Sequence, residues 1–334
     1  MAELAGPRSC RCESNERVAA AIAGTTRSLL LPGLLLLLAG CTGDGVPAGG
    51  AARPADTGAA ARPVPTAADS ASLLRADRTA DSLTVVERIR LAKQRGLDTL
   101  PTGALMVALG RTFVGTPYVP QTLEAEGDER LIINLRALDC VTFVENMLAL
   151  ARTIRAGGAF PEFTRELERI RYRTGSVAGY PSRLHYFSEW IDANQAKGIV
   201  TNVTRELGAV RDLEPLDFMS THRASYRQLA DDATFEAIRQ IEARLNQNPR
   251  YYIPATAIAG AAPRIRDGDI IAATSTLSGM DIAHTGLAVW QDGELHLMHA
   301  PLVGDSVEIS AQPLAVRIQR IRTQDGIMVA RPRD

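Results

Sequence analysis

Apolar residues change their spacing along this chain, and each change marks a different kind of structure. Leu29 to Leu38 is a short, dense apolar run, whereas Thr42 to about Ala68 holds almost no large apolar residue. Beyond Ser70, where order is expected to begin, Leu83, Val86, Ile89 and Arg90 recur at helical spacing and predict a helix that Gly96 ends. A second helix is predicted over Thr102 to Arg111, stopping before Gly115-Thr116-Pro117-Tyr118. There Pro117 holds Thr116 extended, so the turn presents Tyr118. Leu131 to Leu135 reads as a strand. Val141, Val144, Leu148 and Ala151 then form the apolar stripe of a buried helix, with Asp139 as its N-cap and Cys140 on its first turn. Residues 152 to about 260 read as mostly helical, with Phe163, Leu167 and Ile170 on one face and Phe235, Ile238, Ile241 and Leu245 on another. The last third shifts to strands at Asp269–Ala273, His284–Trp290, Glu294–His299 and Gly326–Val329, with Gln291-Asp292-Gly293 as a hairpin turn. Helices followed by an antiparallel sheet make an α+β class.

Composition narrows the picture. With 334 residues and 46% of them apolar, the chain can build one large domain or two small ones. A net charge of −1 with scattered Lys and Arg lacks the basic stripe of a nucleic-acid binder, so no nucleic-acid partner is expected. The run at Leu29–Leu38 is too short to cross a hydrocarbon core, which takes about 20 residues, but suits the apolar region of a signal peptide. It ends in Leu38-Ala39-Gly40-Cys41, which resembles a bacterial lipobox, the pattern in which the cysteine is lipidated and becomes the mature N-terminus. An ordinary secretory signal with an incidental Cys41 is the alternative. The 26 residues before Arg27 are long for a leader, as a start codon assigned too far upstream would make them. Thr42 after the cysteine resembles lipoproteins sorted to the outer membrane, facing the periplasm. The expected division is a lipoprotein signal and lipobox over 1–41, a flexible tether over 42–69, and a catalytic domain over 70–334 with a helical insertion at about 152–260.

Cys10, Cys12 and Cys41 all fall in the leader, so Cys140 is a lone thiol in the exported part. Such a thiol is an inert core residue or a reactive one. A helix N-terminus favours the thiolate, and its amides can also stabilise an oxyanion. A cysteine nucleophile needs a base, for which histidine is best suited near neutral pH. Of His185, His222, His284, His296 and His299, the hairpin pairs two: a register that sets His284 opposite His299 places them on one face, with His296 on the other. His222 and His296 read as satisfied or exposed. No metal site is expected, because His296 and His299 lack further ligands at zinc spacing, and no cofactor is called for.

These residues carry a resemblance. Gly115-Thr116-Pro117-Tyr118, Leu138-Asp139-Cys140, Gly268-Asp269-Ile270, His284-Thr285-Gly286-Leu287 and Met298-His299-Ala300 resemble, in order and content, the NlpC-type papain-like cell-wall hydrolases. Leu138–Glu145, Arg183–Trp190 and Gly279–Gly286 are similar to the N-acetylmuramoyl-L-alanine amidase-like branch of that superfamily. Over roughly Leu83 to Arg331, the resemblance implies a papain-like NlpC-type fold, with a nucleophile helix packed on a small antiparallel barrel. It implies Cys140 as nucleophile, His284 as general base and acid, and His299 as the orienting residue, with Tyr118 near the cysteine. Arg183 and His185 are candidates to line the substrate cleft, Trp190 is expected to be packing, and Glu145 is either a supporting acceptor or a polar helix edge. The implied substrate is the amide joining N-acetylmuramic acid to L-alanine in peptidoglycan or its fragments (muropeptides). An endopeptidase cutting within the stem peptide and a silent muropeptide-binding lipoprotein are the alternatives. Met280 and Pro301 depart from the usual leucine and serine.

Mass spectrometry of the mature protein is expected to find a lipid-modified Cys41 at the N-terminus. An unmodified terminus at any other residue would overturn the lipobox reading.

Overall fold

The computed structural model describes residues 77–302 and 306–334. The expected signal and tether, Cys41 and the onset of order at Ser70 lie outside the described residues. The helices are α1 (Arg78–Gln94), α2 (Thr102–Arg111), α3 (Cys140–Arg155), α4 (Phe160–Arg171), α5 (Phe187–Ala196), α6 (Asp232–Leu245) and α7 (Leu314–Arg320), besides one-turn segments. The strands are β1 (Val200–Asn202), β2 (Val210–Asp212), β3 (Arg250–Pro254), β4 (Ile270–Ser275), β5 (Ile282–Gln291), β6 (Glu294–His299), β7 (Glu308–Ile309) and β8 (Gln324–Pro332).

All strand pairs are antiparallel, in the order β2-β3-β8-β4-β5-β6-β7, with β1 also paired to β8. Alternation along the strands sorts side chains into two cores. Ile270, Ala272, Leu287, Val289, Met298, Met328 and Ala330 face α1 to α5. Ile271, Ala273, Ala288, Leu297, Ile327 and Val329 face Leu314 and Ile318 of α7 and the segment around Ile258 and Ile265. Because both faces are covered, β4 can be apolar at successive residues, Ile270-Ile271-Ala272-Ala273, without exposing any. A third, smaller cluster joins Tyr180, Tyr186, Leu216 and Met219 to Ile238 and Ile241 of α6.

Several expectations are revised. The sheet is open rather than a closed barrel: its ends are β2 and β7, strands of three and two residues, and no pairing joins them among the described residues. The stretch from 152 to about 260 is not purely helical, since β1, β2 and β3 come from it and both β1 and β3 pair with β8. Leu131 to Leu135 forms no strand and joins no ladder. Side chains serve its backbone instead: Arg171 Nη1 donates to the Ile132 carbonyl at 2.5 Å and the Leu135 N–H donates to Asp81 at 2.9 Å. That demand turns α1. Asp81, Val85, Ile89 and Ala92 form its buried face, leaving Leu83 and Val86 exposed.

The hairpin register differs as well. Gln291 pairs with Glu294, so the loop is two residues, Asp292 (φ 52°) and Gly293 (φ 81°), the left-handed pair that a tight hairpin of this twist needs. Leu287 then lies opposite Met298 and Val289 opposite His296. His284 is therefore displaced by two residues from the position facing His299. A shift of two preserves the face, which a shift of one would not.

One close approach fixes α2 against the start of β4. Gly268 has φ +77°, and a Cβ there would fall 2.0 Å from the Gly103 carbonyl oxygen in α2. Gly268→Ala is expected to cost roughly 2 kcal/mol or more. Gly293→Ala, with a similar φ of +81° but no atom within 4 Å, should cost about 1 kcal/mol. Urea unfolding midpoints compare the two, and equal losses would rule out the close approach as the cause.

Candidate active site

Asp139 ends the extended approach to α3 and caps it. Its carboxylate accepts the Thr142 N–H at 2.7 Å, while the Thr142 hydroxyl accepts the Asp139 N–H at 2.9 Å. This reciprocal capping box places Cys140 as the first helical residue, as expected from the sequence. The Thr122 hydroxyl donates to the other Asp139 oxygen at 2.7 Å, so the carboxylate is fully engaged as a cap. From Thr142 to Ala151 every residue of α3 is buried, which makes it the central helix and a rigid mount for the thiol.

β5 supplies the opposite wall. Asp281 fixes its start, accepting the Ile282 N–H and, from α5, the Ser188 N–H, each at 2.7 Å. Burial raises the Asp281 pKa, against the pull of those N–H groups. Ala273 pairs with His284 and Thr274 with Ile282, leaving Ala283 as a bulge immediately before the histidine. Thr285, which the sequence reading did not single out, donates its hydroxyl to the Cys140 carbonyl at 2.8 Å and joins the strand to the helix.

His284 and His299 meet despite the altered register. His284 Nε2 and His299 Nδ1 are 2.8 Å apart, with the rings nearly perpendicular at 87°. His284 is half-buried and His299 is sealed in the core. Burial lowers both imidazoles, His284 well below the ordinary value and His299 down to about 3; a proton on His299 would disfavour one on His284, and the Arg317 charge disfavours both. The Cys140 thiol is half-buried and is pushed up to about 11 by burial and by the Asp139 carboxylate, with hydrogen bonds from Thr285 and the Val141 amide pulling only part of the way back. Burial and the Asp139 carboxylate thus oppose the thiolate that the helix N-terminus would favour.

Cys140 and His284 lie where two cavities of about 180 Å³ and 350 Å³ adjoin. The two also share Glu124, Val141, Leu184, His185, Tyr226 and Ala283. The smaller one is walled by aromatic and sulfur side chains, among them Tyr180, Tyr186, Phe187, Phe218, Met219 and Met280. The larger is lined by Tyr118, Pro120, Gln121, Arg183 and Leu302. Tyr118 is half-buried, and burial, Cys140 and Asp139 raise its pKa, so its hydroxyl keeps its proton. His185 rests on the Tyr180 ring with centroids 4.4 Å apart, its Nε2 2.9 Å from the Tyr180 carbonyl. Burial, with Arg183 nearby, lowers its pKa well below the ordinary value.

Arg183 lines the cleft with its guanidinium already committed. It donates to Glu124 and to the Leu123 carbonyl, lies 3.7 Å from Glu129, and stacks over Tyr180 at 4.9 Å. Burial works against its charge, yet Glu124 and Glu129 hold its pKa above the ordinary value. Glu145 is no surface residue: it accepts Arg171 Nε at 2.7 Å and the Trp190 indole N–H at 3.1 Å, all three being buried. Trp190 is fully buried and stacked on Phe187 at 4.7 Å, so it is packing rather than a sugar platform. His296 is buried, with Nδ1 2.8 Å from the Ser310 carbonyl, and exposed His222 sits against Phe218. Among the described residues no cluster of His, Cys, Asp and Glu is arranged to hold a metal. Besides Thr285, the sequence reading passed over Glu124 and Tyr226. Their only signal was an acidic and an aromatic residue in loops that the fold brings together.

The family model described as AmiA-like, N-acetylmuramoyl-L-alanine amidase-like, matches residues 108–327. A crystal structure of an N-acetylmuramoyl-L-alanine amidase from Bacteroides uniformis is 35% identical, with a TM-score of 0.67, over 70% of this chain and 99% of that one. A Bacteroides fragilis protein provisionally named a xylanase is 36% identical, with a TM-score of 0.63, over 66% of this chain and 98% of its own. The Legionella pneumophila protein LPG0564, 20% identical with a TM-score of 0.58 over 79% of this chain and 97% of its own, shares the fold. No curated protein matches. A match to the family model over most of the chain, from α2 to β8 and across the whole cleft, makes this protein a member of the AmiA-like, N-acetylmuramoyl-L-alanine amidase-like family.

Proposed function

We propose that this protein is a cysteine amidase of the cell envelope that hydrolyses the amide between N-acetylmuramic acid and L-alanine in peptidoglycan or its fragments. The observation that carries the reading is the shared placement of Cys140 and His284 at the junction of two cavities, with His284 hydrogen-bonded to His299. Because His284 Nε2 is occupied by His299, its Nδ1 is the nitrogen left for the thiol. The resting pair is a neutral thiol and a neutral imidazole. As Sγ attacks the lactyl carbonyl carbon, its proton passes to His284. The amides at the start of α3 and the protonated Tyr118 hydroxyl are the candidate donors to the oxyanion. His284 then gives the proton to the departing L-alanine nitrogen, leaving a muramoyl thioester on Cys140. Water, deprotonated by His284, attacks that thioester; the C–S bond breaks, the proton passes from His284 to sulfur, and the muramic acid leaves and loses its carboxyl proton to solvent.

Two cavities flanking the thiol suit a substrate with bulk on both sides of the scissile amide, one side a sugar and the other a peptide. Tyr118 and His185 line the walls that such a substrate would touch, and Arg183 would act mainly by holding Glu124 and Tyr180 in place. A glycosidase reading, which one relative's name suggests, needs two carboxyl groups free to act at a glycosidic bond. Glu124 is paired with Arg183, and Asp281 is engaged by two backbone N–H groups. An endopeptidase would use the same chemistry with the stem peptide seated differently. The lipobox reading adds that the enzyme is anchored by lipid, at the outer membrane facing the periplasm.

Incubating the full chain with defined muropeptides tests the substrate. Release of free muramic sugar and an intact L-alanine peptide is expected, with Cys140→Ala reduced by about 10⁴-fold or more. Cleavage after the second stem residue would replace the amidase by an endopeptidase.

The charge state has its own test. Because the thiol is raised to about 11, the thiolate fraction, and with it the rate of iodoacetamide inactivation, should climb about tenfold per pH unit from pH 7 to 9.5. A flat rate across that range would mean that a thiolate–imidazolium pair already exists at neutral pH.

A further inference from the structure

The histidine pair poses a problem of proton placement. Two neutral rings joined by His284 Nε2 and His299 Nδ1 share one proton along that bond. If His284 carries it, His284 Nδ1 is bare and can receive the thiol proton. If His299 carries it, His284 must hold its own proton on Nδ1 and cannot act as the base. The choice is made at the far nitrogen of His299, because a ring that accepts at Nδ1 has its hydrogen on Nε2.

That far nitrogen has a specific neighbour. His299 Nε2 is buried and makes no hydrogen bond, and the Glu308 carboxylate lies 3.7 Å away. The approach is built into the sheet, since Glu308 in β7 is the register partner of His299 in β6. A carboxylate favours an N–H facing it over a bare lone pair. Glu308 is half-exposed, so its side chain has the freedom to close the remaining distance. Arg317 of α7 acts on His284, His299 and Glu308 alike, its positive charge disfavouring a second proton on either ring.

We propose that Glu308 is a positioning residue that holds the His299 hydrogen on Nε2 and thereby leaves His284 Nδ1 bare toward Cys140. This rests on the reading of Cys140 as nucleophile and His284 as base. It extends the arrangement to a four-membered chain, Cys140–His284–His299–Glu308, in which the last member touches neither thiol nor substrate.

Long-range ¹H–¹⁵N NMR of the histidine-labelled full chain at pH 7 reads the tautomers directly and needs no substrate. Wild type should show His299 and His284 both protonated at Nε2. In Glu308→Ala a substantial fraction of both rings should change to the other tautomer, with kcat on the muramoyl-L-alanine substrate falling about tenfold or more and KM changing by less than about twofold. Glu308→Gln, whose amide oxygen still accepts, should keep more of both the tautomer and kcat. Wild-type His299 bare at Nε2 would overturn the proposal, as would a Glu308→Ala protein with the wild-type tautomers or with unchanged kcat. Should Glu308→Ala fail to fold, the wild-type tautomers and Glu308→Gln decide. Tautomers as expected without any muropeptide hydrolysis would count against the amidase reading and not against this one.

Discussion

The buried ion pair between Glu145 and Arg171 is the contact on which the site's surroundings converge. Moving two charges out of water costs several kcal/mol each, and the loss is offset only where geometry and further hydrogen bonds are good. Here Glu145 also receives the Trp190 indole N–H, and Arg171 also serves the Ile132 carbonyl. One cluster thus joins α3, α4, α5 and the segment before α3. Removing either partner would leave an uncompensated charge beneath the helix that presents Cys140. Selection for a stable core alone does not call for such a pair. The pair ties α3 to α4, α5 and the segment before it, and the thiol sits on the first turn of that helix.

Above that base, the site is assembled from fixed parts and left electrically quiet. Asp139 is spent on the cap, Asp281 on backbone N–H groups of α5 and β5, and Arg183 on Glu124 and the Leu123 carbonyl. Around Cys140 the shifts all favour the uncharged forms: burial raises the Cys140 thiol and the Tyr118 phenol and lowers the imidazoles of His284 and His299. In the proposed reaction, charge appears at sulfur and imidazole only as substrate is engaged. On that proposal the reactive form is scarce until the carbonyl arrives, which would limit side reactions of the thiol.

Much of this was legible from sequence where a local pattern carries the information. The Asp139 cap, the position of Cys140 and the span of α2 follow from neighbouring residues, and they hold. The histidine pair was found for a reason that tolerated an error. The three-residue turn expected from sequence is one residue longer than the loop that forms, but the alternation of side chains keeps His284 and His299 on one face. What failed depended on distant partners. Leu131–Leu135 has the composition of a strand, yet Asp81 and Arg171 satisfy its backbone. β1 to β3 are too short to show a period and exist because β8 and its neighbours offer edges. Thr285 was invisible as a contact because its partner is a backbone carbonyl 145 residues away in sequence.

The two ends of the open sheet have a consequence beyond the fold. A sheet that does not close must expose unpaired backbone donors and acceptors somewhere, and such rows recruit other chains. Here the edge strands β1, β2 and β7 run for only three, three and two residues. So short a row gives an incoming strand almost no ladder to extend, while the long apolar strands β4, β5 and β8 are paired inside. A protein concentrated at one surface, as a tethered envelope enzyme would be, meets copies of itself often. With ends this short, one copy offers another little to template, whatever the local concentration.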